Sequence, residues 1–148
     1  MNKKFILSMI VVIILGIVSA KTVYSLSEKI EDKYSYYFLQ LGVYDDIDSL
    51  NDDTKNIDDK LVLKENGKYS VYVGISKEKD NLTKISNLYK NYGYNLIIKS
   101  KRIDNEEFIL NLEQFDKLLK QTTDLEELKK VMAVILSSYQ EMVINSII

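Results

Sequence analysis

Residues 36–44 read Tyr-Tyr-Phe-Leu-Gln-Leu-Gly-Val-Tyr, and residues 68–76 read Lys-Tyr-Ser-Val-Tyr-Val-Gly-Ile-Ser. Each alternates apolar and other residues at period two and carries a glycine near its end, the pattern of a half-buried strand with a point of close approach. On the first strand Leu39, Leu41 and Val43 fall to one side, and Phe38, Gln40, Gly42 and Tyr44 to the other. On the second, Val71 and Val73 join the apolar set, while Ser70, Tyr72 and Gly74 share the opposite side.

Working outward, Asp45-Asp46 supplies helix-start chemistry for a helix of roughly 46–58 carrying Ile47, Leu50, Ile57 and Leu61 as its stripe. Its acids lack the glycine and terminal glutamate of an EF-hand loop and read as a solvated face. Residues 60–65 form a short strand, and Asn66-Gly67 is a two-residue hairpin turn leading into 68–75. Ser76 caps a helix with Leu82, Ile85, Leu88, Tyr89 and Tyr92 at helical spacing, ended by Gly93 in a left-handed conformation. Residues 94–103 are a last strand whose Lys99 and Lys101 suit an edge.

The expected fold is therefore α+β: a four-stranded antiparallel sheet in βαββαβ (ferredoxin- or RNP-like) order, with two helices on one face and strands one and three central. A helical hairpin follows over 104–148. Asp104 with Glu107 and Thr123 with Glu126 serve as capping boxes, and the apolar stripes are Phe108, Leu112, Phe115 and Leu119, then Leu128, Val131, Ile135, Tyr139 and Met142. So apolar a pair must bury its stripes against the domain, the stalk or another chain.

At the other end, Phe5 to Ala20 is free of charge and follows Lys3 and Lys4, the signature of a membrane-targeting segment. Sixteen helical residues span about 24 Å, short of a hydrocarbon core of about 30 Å, but continuation through Tyr24 with Lys21 snorkelling closes the gap. Residues 1–24 thus read as a retained anchor, or as a signal peptide if cleaved after Ala20, which would make the protein secreted. Residues 25–35 form a short stalk, 36–103 the domain. The expected location is the cell membrane, single-pass, with the C-terminal domain outside the cytoplasm.

Composition narrows the chemistry. The 148 residues include no cysteine and no histidine, which removes disulfides, thiolate metal sites and the usual neutral-pH acid–base group. The formal charge is −2, and −4 without residues 1–20, whose charges are Lys3 and Lys4 alone. Nucleic acid selects a basic face and is not an expected partner, although exposed aromatics on central strands are also the RRM plan. Asp45/Asp46 and Glu106/Glu107 stand at helix starts, where acids answer the dipole rather than a glycosidic bond. No enzyme activity and no cofactor are expected.

The strands resemble those of the SPOR domain, the sporulation-related repeat that binds bacterial peptidoglycan. Tyr37-Phe38-Leu39-Gln40-Leu41-Gly42-Val43-Tyr44 follows that family's aromatic-x-apolar-Gln-apolar-Gly-small-aromatic strand. Tyr69-Ser70-Val71-Tyr72-Val73-Gly74 follows its later strand, before Ile75 and Ser76 replace the family's Pro-Phe. Val43 stands where a small polar residue is customary, and the linker to the anchor is shorter than usual.

The resemblance covers about residues 35–103. It implies a non-catalytic binding protein for glycan strands stripped of their stem peptides, localised to cell-wall remodelling, division or sporulation sites. Envelope or division proteins would be further partners. The implied glycan-binding residues are Phe38, Gln40, Gly42, Tyr44, Ser70, Tyr72 and Gly74. The rival expectation is that the C-terminal hairpin covers this face, making its aromatics core and the molecule a membrane-proximal protein-interaction or dimerisation module.

Overall fold

In the computed structural model, residues 35–146 are described. The anchor and nearly all of the stalk expected from the sequence lie outside them. Strand β1 (Ser35–Tyr44) is followed by helix α1 (Ile47–Asp53), strands β2 (Leu61–Glu65) and β3 (Lys68–Ser76), helix α2 (Lys79–Lys90), strand β4 (Ile97–Arg102) and helices α3 (Glu106–Gln121) and α4 (Leu125–Asn145). Among the described residues no helix is long and apolar enough to cross a membrane.

The sheet order is β2-β3-β1-β4, with every pair antiparallel. The two motif-bearing strands are the central pair, as the βαββαβ order requires. The β2–β3 turn has Asn66 at φ 52° and Gly67 at φ 80°, the two positive dihedrals of the hairpin turn that matches strand twist. Strand β4 is an edge, and only one of its six residues is even half-buried.

Helix ends depart from the sequence expectation by a few residues, each for a local reason. Helix α1 stops at Asp53 because the Thr54 hydroxyl donates to the Leu50 carbonyl at 2.8 Å, and Ile57 packs from the loop beyond. Asn105, not Asp104, caps α3 by accepting from the Phe108 amide at 2.8 Å, because Asp104 is engaged by Arg102 Nε at 2.7 Å. Asp124, not Thr123, caps α4, accepting from the Glu127 amide at 2.9 Å. Ser76 stands two residues ahead of Glu78, the N-cap of α2, its hydroxyl taking the Glu78 amide at 2.9 Å.

Packing divides the sheet between two sets of helices. On one side Leu39 and Gly74 meet Leu82 of α2, and a Cβ added at Gly74 would lie 3.0 Å from Leu82 Cδ2 and 3.3 Å from Leu39 Cβ. That close approach is why the motif glycine stands there. On the other side Phe38 and Tyr72 meet Tyr139 of α4 and, through it, Phe108 of α3. Leu39, Leu82, Ile85 and Ile135 are fully buried between these layers, each contributing about 1.5–3 kcal/mol of transfer free energy.

One buried carboxylate fastens the hairpin to the domain. Asp116 of α3 accepts from the Ser76 hydroxyl, from the Lys77 amide at 2.9 Å and from Asn81 Nδ2 at 3.2 Å. Burial pushes its carboxyl above the usual range, against the lowering effect of those three donors. Lys84 of α2 adds a second tie, donating to the Leu119 carbonyl at 2.9 Å and the Lys120 carbonyl at 3.0 Å at the end of α3.

Candidate binding groove

The seven residues expected to bind glycan do not share one face. Pairing between β1 and β3 shifts register twice, so that Val73 and Leu41 have no partner across the pair. Each such bulge inserts one residue and reverses the side on which the following residues project. Before the shifts Phe38 pairs with Ile75 and Leu39 with Gly74; between them Gln40 pairs with Tyr72; after them Gly42 pairs with Val71.

The consequence is a split set. Phe38, Gln40, Ser70 and Tyr72 gather on the face that α3 and α4 approach. Gly74 projects to the α2 side. A Cβ at Gly42 would lie 2.8 Å from the Tyr44 hydroxyl, and that hydroxyl donates to the Asp53 carboxylate of α1 at 3.3 Å, so Gly42 and Tyr44 belong with α1. Burial and the Asp53 charge push the Tyr44 phenol up to about 12.

The aromatic platform expected on this face is core. Phe38 is 0% exposed, Tyr72 1% and Gln40 8%. Phe38 makes edge-to-face contacts with Tyr72 at 5.5 Å and Tyr139 at 5.2 Å between ring centroids, and Tyr139 repeats the geometry with Phe108 at 5.3 Å. The stripes of α3 and α4 must leave water somewhere, and these rings give them an apolar surface to pack on.

The cover stops short of the β2–β3 hairpin. There a shallow groove of about 590 Å³ is lined by Gln40, Glu65, Asn66, Tyr72, Lys99, Ser100 and Lys101. Gln40 Nε2 donates to the Tyr72 hydroxyl at 3.4 Å, and that hydroxyl donates to Glu65 at 2.9 Å. Lys101 of β4, the opposite edge strand, closes the set by reaching across the sheet face to an ion pair with Glu65 of β2, its ammonium 4.7 Å from the Tyr72 ring centroid and 5.7 Å from that of Phe38.

The electrostatics of this chain are mutual. Burial pushes Glu65 up, but hydrogen bonds from Lys101, Tyr72 and Ser70 outweigh it, leaving the carboxyl below its ordinary value. Burial pushes Lys101 down, and Glu65 and Tyr72 more than restore it, so its pKa is raised. The groove thus presents fixed donors and acceptors around an ion pair that stays charged at neutral pH. It holds no exposed aromatic ring for stacking.

Of the expected residues, Gln40 and Tyr72 line this groove and Ser70 stands beneath it through Glu65. Glu65, Asn66, Lys99 and Lys101 were not singled out for binding. The signal was present for Glu65: Leu61 pairs with Tyr72 and Leu63 with Ser70, so period two carries Glu65 to the same face.

Fold and groove together define an α+β domain of βαββαβ order with a polar groove, lined by side chains of all four strands and the β2–β3 turn, on one sheet face. No family model matches the chain, and no curated protein matches it significantly. Among solved structures it is similar to the solution structure of the peptidoglycan binding domain of the B. subtilis cell wall lytic enzyme CwlC, at 25% identity over 45% of this chain and 90% of that one, with a TM-score of 0.38.

Proposed function

We propose that residues 36–103 are a SPOR-like domain that binds peptidoglycan glycan strands at the groove beside the β2–β3 hairpin and does no chemistry on them. The observation that carries this reading is the groove itself, the part of the motif-bearing face that the C-terminal helices leave open. The strand motifs Tyr37–Tyr44 and Tyr69–Gly74 occupy the central pair of the sheet, in keeping with the resemblance. Sugar hydroxyl and acetamido groups need interleaved donors and acceptors, and Gln40, Asn66, Lys99, Lys101 and Glu65 supply both kinds. In this reading the aromatic rings support the groove from below instead of stacking on sugar.

The charge-free stretch Phe5–Ala20 would hold the domain at the outer side of the cell membrane, so that glycan binding concentrates the protein at sites of wall remodelling, division or sporulation. The test is co-sedimentation of the full-length chain with amidase-treated and untreated sacculi, alongside Lys99→Glu. Greater retention on treated sacculi, reduced by Lys99→Glu, is expected. Equal or absent retention on both refutes it.

The burial of Phe38, Gln40 and Tyr72 favours a second reading, a membrane-proximal protein-interaction or dimerisation module. Sedimentation equilibrium of the full-length chain in detergent, giving a concentration-dependent dimer without sacculus retention, would select it.

A further inference from the structure

A second cavity, of about 370 Å³, opens between α2, the loop after α1 and α4, and shares no residue with the groove. Its floor is apolar, formed by core residues including Ile85 and Leu136. Tyr89, Tyr92 and Tyr94 line its sides, and Asp58 and Asp59, both exposed, line it from the loop after α1. We propose that this cavity is a binding site for a small organic cation, an ammonium or quaternary ammonium group on a short alkyl body, held by the tyrosine faces and the two carboxylates.

Three features select a cation over other ligands. Aromatic faces present negative charge to a cation, and several rings around one volume are the arrangement that recognises alkylammonium groups. Asp58 and Asp59 form no ion pair among the described residues, so they favour a positive guest. The one cation lining the cavity, Lys129, is paired with Glu126 at 3.3 Å and is outnumbered there by the two carboxylates. An uncharged apolar guest would fill the floor and gain nothing from the rim.

The walls are also positioned before any ligand arrives. Tyr94 donates its hydroxyl to the Asp53 carbonyl at 3.0 Å, which fixes that ring. Burial, then the charge of Asp59, pushes the Tyr89 phenol up to about 12, so the ring stays neutral wherever the protein is folded at ordinary pH. The volume suits a guest of the size of choline, at the lower end of small-molecule pockets. The site is independent of the glycan reading and stands if that reading fails.

The test is titration of the full-length chain, in a non-ionic detergent free of ammonium groups and at ionic strength matched with sodium chloride, followed by amide chemical shifts. The probes are choline and its uncharged isostere 3,3-dimethylbutan-1-ol. Choline is expected to give saturable shifts around Tyr89, Tyr92 and Tyr94 and to bind about tenfold more tightly than the isostere. Tyr92→Ala and Asp59→Asn should each weaken choline about three- to tenfold; both side chains are exposed, so the fold does not depend on them. Equal affinity for the two probes, absence of saturable shifts, or choline binding unchanged by both substitutions overturns the proposal.

Discussion

The two ends of one sheet face have opposite fates. At one end Phe38 lies under Tyr139 and Phe108, sealed from water. At the other, Gln40, Tyr72, Glu65 and Lys101 line an open groove, joined by hydrogen bonds and an ion pair. The strands that carry both ends are the same, β1 and β3. What differs is what closes over them: α3 and α4 at one end, and at the other the Glu65–Lys101 pair, itself partly open to solvent. Apolar area without cover would cost transfer free energy, whereas polar atoms without cover can be answered by water or ligand. The sealed end is therefore a stability site, and the polar end is where the proposed recognition falls.

The sharpest way to break this contrast is Phe38→Ala. If the ring is core, its loss costs about 3–5 kcal/mol in denaturant unfolding; a loss near zero would mean that the hairpin does not seal this end. Asp116→Ala addresses what holds the cover in place. It strands the Lys77 amide and leaves the Ser76 hydroxyl and Asn81 amide only the Glu78 and Asp116 backbone carbonyls, with an expected cost of about 1–3 kcal/mol and faster amide exchange in α3. Gln40→Ala falls at the boundary between the ends: removing the donor to Tyr72 should cost about 1 kcal/mol, so a binding defect in that variant must be read beside its melting curve.

A pH series sharpens the same comparison, because the two carboxylates are shifted in opposite directions. Glu65 is lowered in the folded protein, so its contribution is complete above its ordinary value of 4.5 and is lost as pH falls through the lowered folded value. Asp116 is raised, so the folded state favours its protonated form, and its contribution declines as pH rises from 3.8 through the raised folded value. Glu65→Gln should fall further behind the parent as pH rises, and Asp116→Asn should gain on it, in melting temperatures taken from acid to neutral. The smallest effect belongs to Lys99→Glu, on the exposed edge: no measurable change in melting temperature, with loss confined to sacculus retention.

Much of the fold was legible in local pattern. Strand alternation, the Asn66-Gly67 turn and Gly93, whose φ is 87°, are backbone requirements that only a few residue types meet, so they read directly from the chain. The edge position of β4 was likewise signalled by Lys99 and Lys101. The starts of α3 and α4 were displaced by one residue, where two capping residues stand side by side; between Asp104 and Asn105 the choice turned on Arg102 reaching Asp104.

The binding face was less legible, for two reasons that no period count contains. The bulges at Leu41 and Val73 reverse side-chain direction partway along β1 and β3, which removed Gly42, Tyr44 and Gly74 from the expected set. The hairpin then covered Phe38, and its apolar stripes of Leu112, Leu119, Leu128 and Ile135 gave notice that they would bury something without saying what.

By itself the sequence determined the order of elements, the turn chemistry, the central pair of strands and the absence of thiol and imidazole chemistry, because each follows from residues close together in the chain or from composition alone. Tertiary structure decided what covers each end of the motif-bearing face, because that depends on where helices more than sixty residues beyond β1 come to rest. Burial is a property of the neighbours a side chain acquires, and Phe38 and Gln40, two residues apart on one strand, acquire different ones.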